Sequence, residues 1–187
     1  MHPPLEPALY ETARLRLRPW RDEDRLPYAA LNSDPEVREY FPGVLDFASS
    51  EAERERIQDK IEQQGWGFWA VELKETDAFI GFTGLNAPEG LPCSPCVEIG
   101  WRLVRAYWGK GYALEAAREA LRIGFEQLAL DEIVAFTALS NHRSRAVMER
   151  LGMRNTQEDF DHPRVPAGHP LRRHCLYRLT HADWQRP

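Results

Sequence analysis

Glu98, the run Trp108-Gly109-Lys110-Gly111-Tyr112-Ala113, and the pair Asn141 and Ser144 are the residues whose types and spacing point to chemistry. Gly109 and Gly111 bracket a turn that leads into a long amphipathic segment. Before it, Val97-Glu98-Ile99-Gly100-Trp101-Arg102-Leu103 alternates like a strand. Backbone N–H groups at a helix start have no partner within the helix and favour an anion. Glycine there lets the backbone approach a phosphate without a Cβ in the way, although a turn needing only a positive φ is the plainer alternative. Better-known phosphate loops do not fit. Lys110 is followed by Gly111 rather than the Ser or Thr of a Walker A loop. Leu114 stands where a dinucleotide fingerprint has its third glycine, and the elements of a protein kinase are missing. Glu98 lies on the opposite side of its strand from Val97, Ile99 and Trp101. A carboxylate in a partly buried site there suits a general base; a structural carboxylate paired with an arginine is the alternative.

A second strand and helix follow. Asp131 to Ala138 reads as a buried strand, with Ile133, Val134, Ala135 and Phe136 apolar in succession. In Ser140-Asn141-His142-Arg143-Ser144-Arg145-Ala146-Val147-Met148-Glu149-Arg150-Leu151-Gly152-Met153, Asn141 is a natural N-cap and Gly152 a left-handed terminator. On these residues the chain resembles the GNAT superfamily of N-acetyltransferases. Gly111 and Ala113 fill the last two fixed positions of its acetyl-CoA loop, Gln/Arg-x-x-Gly-x-Gly/Ala. Asn141, Ser144 and Leu151-Gly152-Met153 match its Asn-x-x-Ser/Ala and Leu-Gly-Phe. Trp108 departs from the usual Gln or Arg. With Thr12-Ala13-Arg14-Leu15-Arg16-Leu17-Arg18-Pro19-Trp20 and Asp34-Pro35-Glu36-Val37, the chain is similar to the branch of ribosomal-protein N-terminal (RimJ/RimL-like) acetyltransferases. The resemblance covers residues 10 to 181.

That resemblance implies transfer of the acetyl group of acetyl-CoA to a primary amine, on a protein N-terminus or a small molecule, directly and in a ternary complex. The cofactor-binding set would be Leu103, Val104, Trp108, Gly109, Lys110, Gly111, Tyr112, Ala113, Asn141, Ser144 and Arg145. A backbone N–H of Leu103 or Val104 would polarise the thioester carbonyl. Met148 stands where many relatives carry a tyrosine that protonates the departing thiolate, and a thioether cannot donate a proton. Ser144 is the substitute candidate, an ordinary polar residue of a helix turn the alternative. Tyr40, Phe41 and Trp66 are candidates for the acceptor pocket, with His162 and His174 from a Pro-rich excursion behind them. No Ser or Cys sits in a nucleophile elbow, which disfavours a covalent acetyl-enzyme. A non-catalytic acyl-CoA sensor or partner-docking module is the rival reading.

The elements that must position these residues form one domain, residues 1–187, with a core at about 10–181. Residues 13–18 read as a half-solvated strand. Segments 22–32 and 34–40 read as short helices, and Ser50 with Glu53 as a capping box for a helix ending at Gly65. Residues 66–74 and 78–86 are strands, 112–128 a helix with one apolar stripe, and 153–160 and 172–180 a closing strand pair. This order implies an α/β (mixed α+β) fold, a central mixed sheet with helices on both faces. Strands 97–104 and 132–138 must be parallel, because a long helix joins them. In the family they splay apart, and the pantetheine arm lies between them. Net charge of −5 argues against a nucleic-acid partner. No run of eighteen apolar residues is present, which argues against a membrane span. Met1-His2-Pro3-Pro4 is neither signal nor transit peptide, and with three cysteines the expected location is the cytoplasm. Cys93-Ser94-Pro95-Cys96 lacks the second close pair that zinc needs, so no metal is expected. A monomer or a homodimer would serve this chemistry.

Overall fold

Leu15 and Leu17 alternate with arginines and build β2 (Leu15–Arg18), which forms a hairpin with β1 (Tyr10–Glu11). The computed structural model describes residues 8–185, and Met1-His2-Pro3-Pro4 lies outside the described residues. After α1 (Arg25–Ser33) and α2 (Phe47–Gln64) come β3 (Phe68–Leu73), β4 (Ala78–Asn86) and β5 (Glu98–Leu103). Next are α3 (Tyr112–Arg122), β6 (Glu132–Ala138), α4 (His142–Arg150), two short strands β7 (Arg154–Asn155) and β8 (Phe160–Asp161), then β9 (Arg173–Thr180) and α5 (His181–Trp184). The sheet runs β1-β2-β3-β4-β5-β6-β9-β7, with β8 also on β9, and among the described residues only the β5–β6 pairing is parallel. This is the mixed sheet expected from the sequence.

Register decides which side chains share a face. Glu98, Gly100 and Arg102 of β5 lie opposite Asn86, Gly84 and Phe82 of β4, and Glu98 opposite Val134 of β6. Helices α1 and α2 pack on this face, α3 on the other. The main core includes Trp69, Val71, Leu85, Leu121, Phe125 and Ile133. A smaller cluster of Leu91, Val134, Phe160 and Leu176 takes in Cys93, Cys96 and Phe136.

Four expectations are corrected. Arg18 is not half-solvated: it is 4% exposed, bound to Asp24 at 2.8 Å and to Glu72 at 2.7 Å. Residues 34–40 form turns rather than a helix, with Asp34 Oδ1 accepting from the Glu36 and Val37 N–H groups. Helix α2 begins before Ser50, because Asp46 caps it by accepting from Ser49 N–H at 2.7 Å. Ser50 instead turns inward and accepts from Asn32 Nδ2 at 2.8 Å. The closing pair is broken into β7 and β8, both laid on β9. Elsewhere the sequence reading holds: Gly65 ends α2 at φ 79° and Asn141 caps α4.

Candidate active site

The site is built where β5 and β6 part. They pair at one position, Glu98 opposite Val134, with Val134 N–H donating to Val97 O at 2.9 Å. Val104 N–H donates across to Ile80 O at 2.9 Å. Antiparallel strands alternate the direction of their backbone groups, so Leu103 turns its N–H and C=O toward the gap. Its C=O accepts from the Trp108 indole N–H at 2.8 Å, leaving the N–H as the donor there. Of the two backbone donors expected, Leu103 is free to act and Val104 is consumed in the sheet.

The glycine turn has the backbone the sequence suggested. Gly109 has φ 72° and Gly111 φ 82°, values a β-branched residue tolerates poorly. Gly111 is the N-cap of α3 and offers no side chain, and the first helical bond is Glu115 N–H to Gly111 O at 3.0 Å. The N–H groups of Tyr112, Ala113 and Leu114 therefore lie ahead of that first bond, without intrahelical partners. Arg14 stacks over Tyr112 at 4.4 Å and its Nη1 donates to Lys110 O at 3.0 Å, bracing the turn from behind. Lys110 Nζ lies 5.5 Å from the Tyr107 ring.

Glu98 is half-buried, and one oxygen accepts from Asn86 Nδ2 at 2.6 Å. Asn86 Oδ1 accepts in turn from Lys60 Nζ at 2.7 Å. Burial pushes the Glu98 carboxyl up from 4.5 to about 7, against the opposing pull of the Asn86 bond, Lys60 and Arg164. Asn86 escapes a motif search because it is a cross-strand neighbour. The β4–β5 register was the signal that would have found it.

Asn141 accepts from Ser144 N–H at 3.2 Å and donates to Thr137 Oγ1 at 2.9 Å. The Ser144 hydroxyl has no partner among the described residues. The Arg145 Nε donates to Tyr177 OH at 3.3 Å and its Nη1 to Leu139 O at 3.0 Å, bonds that hold the guanidinium in place and leave Nη2 unspent among the described residues.

Trp66 is 5% exposed and belongs to the core rather than to a pocket wall. Tyr40 and Trp108 are drawn together by Arg143, whose guanidinium lies 5.8 Å and 4.4 Å from their rings. Phe41 is 38% exposed, with Arg38 and Arg102 against its ring. The His162 and His174 rings are 4.8 Å apart beside Phe136 and Phe160. Burial pushes His162 down to about 4, helped by His174 and Arg164, and also lowers His174 against a bond to Arg172 O. Both rings are neutral near pH 7 and form an aromatic wall. Cys93 and Cys96 are free thiols 3.4 Å apart, and among the described residues no group of three or more His, Cys, Asp or Glu is placed to hold a metal ion. No described helix is long and apolar enough to cross a membrane.

Comparison with known proteins meets this geometry. The acetyltransferase (GNAT) domain model matches residues 14–154. YdaF of Bacillus subtilis (strain 168), provisionally named a ribosomal N-acetyltransferase, is 38% identical over 94% of each chain. The FsC-acetyl coenzyme A-N(2)-transacetylase of Aspergillus fumigatus is 32% identical, over 97% of this chain and 79% of that protein. An acetyltransferase structure from Agrobacterium tumefaciens superposes with TM-score 0.74 at 30% identity, covering 92% of this chain and 94% of that one. With the uncapped glycine turn, the single-point β5–β6 contact and this match across most of its length, the chain belongs to the GNAT family of acetyl-CoA-dependent acetyltransferases.

Proposed function

We propose that the protein acetylates a primary amine, a protein N-terminal α-amine or an amine on a small molecule, by direct transfer with both substrates bound together. The observation that carries this reading is Glu98, a half-buried carboxyl raised to about 7 beside the gap between β5 and β6. Acetyl-CoA supplies an activated acetyl group as its thioester. An α-amine has a pKa of about 7.7–8.0 and a lysine about 10.4, so the nucleophile must shed a proton before it attacks. Glu98, poised near neutrality, takes that proton directly or through water. Leu103 N–H is the donor for the carbonyl oxygen, in a position where preorganised dipoles are most effective. The N–H groups of Tyr112, Ala113 and Leu114 hold the pyrophosphate, with Lys110 as an added charge. The names of the relatives support transfer to nitrogen: one is named an acetyl coenzyme A-N(2)-transacetylase, the other a ribosomal N-acetyltransferase. A Mycobacterium smegmatis RimJ of the same fold, TM-score 0.77 at 20% identity, was solved with CoA-disulfide, which supports coenzyme A as the ligand of this fold. Initial-rate measurements test direct transfer. Intersecting double-reciprocal lines are expected; parallel lines, with an acetylated protein after acetyl-CoA alone, would refute it.

Met148, 2% exposed where a tyrosine donor is usual, favours the second reading, an acyl-CoA-binding module without turnover. A thiol of pKa about 8.5 is a fair leaving group unaided, so this gap does not by itself abolish catalysis. Ser144→Ala separates the roles open to its hydroxyl. If the hydroxyl serves the thiolate, single-turnover rate falls and CoA affinity stays within a few-fold. If it anchors the cofactor, affinity drops by ~0.5–1.5 kcal/mol at unchanged rate. No change in either assigns it to the helix turn alone.

Gly111→Val places a β-branched residue at φ 82°, with its Cβ 3.4 Å from Arg14 Nη2, so the strained turn must shift and carry with it the N–H groups proposed to hold the pyrophosphate. CoA binding is expected to weaken at least tenfold, ~1.4 kcal/mol, in titration calorimetry on folded protein. Unchanged affinity would remove the phosphate role of the turn.

A further inference from the structure

Arg18, Arg38 and Arg54 are 4%, 8% and 4% exposed, and the Arg102 side chain is 10% exposed. Buried charges are ordinarily paired and their donors satisfied. Two of these guanidiniums obey that rule. Arg18 uses Nε on Glu72, Nη1 and Nη2 on Asp24, and Nη1 again on Pro19 O. Arg54 uses Nε and Nη2 on Glu51 and Nη1 on Gln58.

The other two leave donors unpaired, one buried at Arg102 Nε and the rest open to solvent. Arg102 spends Nη1 on Asn32 Oδ1 at 2.7 Å and on Glu53 Oε1 at 3.0 Å, while its Nε is buried with no partner. Arg38 spends Nε on Gly43 O at 2.7 Å. Its Nη1 and Nη2, like Arg102 Nη2, have no partner among the described residues. The two groups sit together, each guanidinium carbon 4.5 Å from the centre of the Phe41 ring. Glu53 is the carboxylate on hand, and the same oxygen that takes Arg102 also takes the Tyr28 hydroxyl at 2.6 Å. Two cations share one anion, so the pocket is short of a negative charge. Burial, then the neighbouring Arg102 charge, push Arg38 below the ordinary arginine range, as follows for a cation lacking its counter-charge.

Place gives the deficit meaning. Arg102 shares the face of β5 that carries Glu98 and Gly100, about 13 Å along the strand from Glu98 at ~3.3 Å per residue. It lies toward the end where β5 and β6 diverge, under the half-exposed Phe41 of the loop between α1 and α2. Planar guanidiniums with free N–H pairs match a carboxylate, which accepts two parallel bonds.

We propose that Arg38 and Arg102, roofed by Phe41, form a subsite for a carboxylate on the acceptor, so that the substrate class is an amine that also carries a carboxylate apart from the reacting nitrogen. The role of the amine rests on the transferase reading above; the binding of the carboxylate does not. The probes are matched short peptides and long ω-amino acids, each as free acid and as carboxamide. In the wild-type protein, thiol release from acetyl-CoA should favour the acids, through KM rather than kcat, by about tenfold or more, the scale of charge-assisted bonds. Arg38→Gln should bring the acid-to-amide ratio near one. Arg38→Lys, which keeps the charge without the fork, should restore it in part. Arg38 is the choice because Arg102 also braces Asn32 and Glu53. Equal use of acids and amides by the wild type overturns the subsite and leaves the transferase standing. Release from no amine strikes at the transferase reading instead, and thermal shift then decides the subsite. Acids that raise the wild-type Tm, but not that of Arg38→Gln, uphold it; acids that shift neither overturn it.

Discussion

Glu98→Gln is expected to lower turnover about 10²-fold or more while CoA affinity stays at the wild-type level, the usual cost of losing general-base help. Wild-type kcat/KM should fall tenfold per pH unit below a midpoint near 7, where the buried carboxyl titrates, and the variant should lose that limb. A second, independent signature lies in stability. The folded pKa is raised above 4.5, so the native state binds the proton more tightly than the unfolded chain. Its stabilising share is complete below pH 4.5 and is lost as pH rises to about 7. By linkage the loss approaches ~3 kcal/mol at full ionisation, less whatever solvent reaching the half-buried group screens. Glu98→Gln should therefore be more stable than wild type at pH 8, with the difference vanishing near pH 4. Wild-type turnover in the variant would return Glu98 to a structural role held by Asn86.

Arg18→Met should be the most destabilising single change, about 3–5 kcal/mol in denaturant unfolding. It strips the partner from two carboxyls that are almost wholly buried, Asp24 and Glu72, each within 2.8 Å of the guanidinium. The Arg16 and Arg21 side chains also reach Glu72, but Asp24 would keep only the Arg21 backbone N–H at 2.8 Å, a neutral donor that cannot replace the guanidinium charge. The site lies far along the sheet from β6, so CoA affinity of the surviving folded fraction should be unchanged. A loss under 1 kcal/mol would show that the cluster is wetter than its burial implies.

What the sequence disclosed follows from the range of the forces involved. Gly111, Gly65, Gly152 and Asn141 act on backbone within a few residues, and each was found in its expected role at a helix end. The strands and α3 were legible because a buried stripe repeats with a fixed period. Partners brought together by register were not. Arg18 looked solvated by alternation, yet Glu72 and Asp24 meet it from another strand and a following turn. Ser50 and Glu53 have the spacing of a cap, but both face Asn32, Tyr28 and Arg102 in the interior. Arg145 sat at a motif position and is claimed by Tyr177, 32 residues away. Asp34-Pro35-Glu36-Val37 began like a helix, and there the Asp34 side chain competes for the backbone N–H groups and closes a turn instead.

The central claim is tested most directly by one measurement, mass analysis of amines incubated with acetyl-CoA and the purified protein. The expected result is an N-acetylated amine formed in step with free thiol, with yields that fall sharply when Glu98→Gln replaces the wild type. Tight CoA binding with no acetylated amine across α-amino peptides, lysine-type amines and amino acids would contradict it, and the fold would then be serving as a binding module.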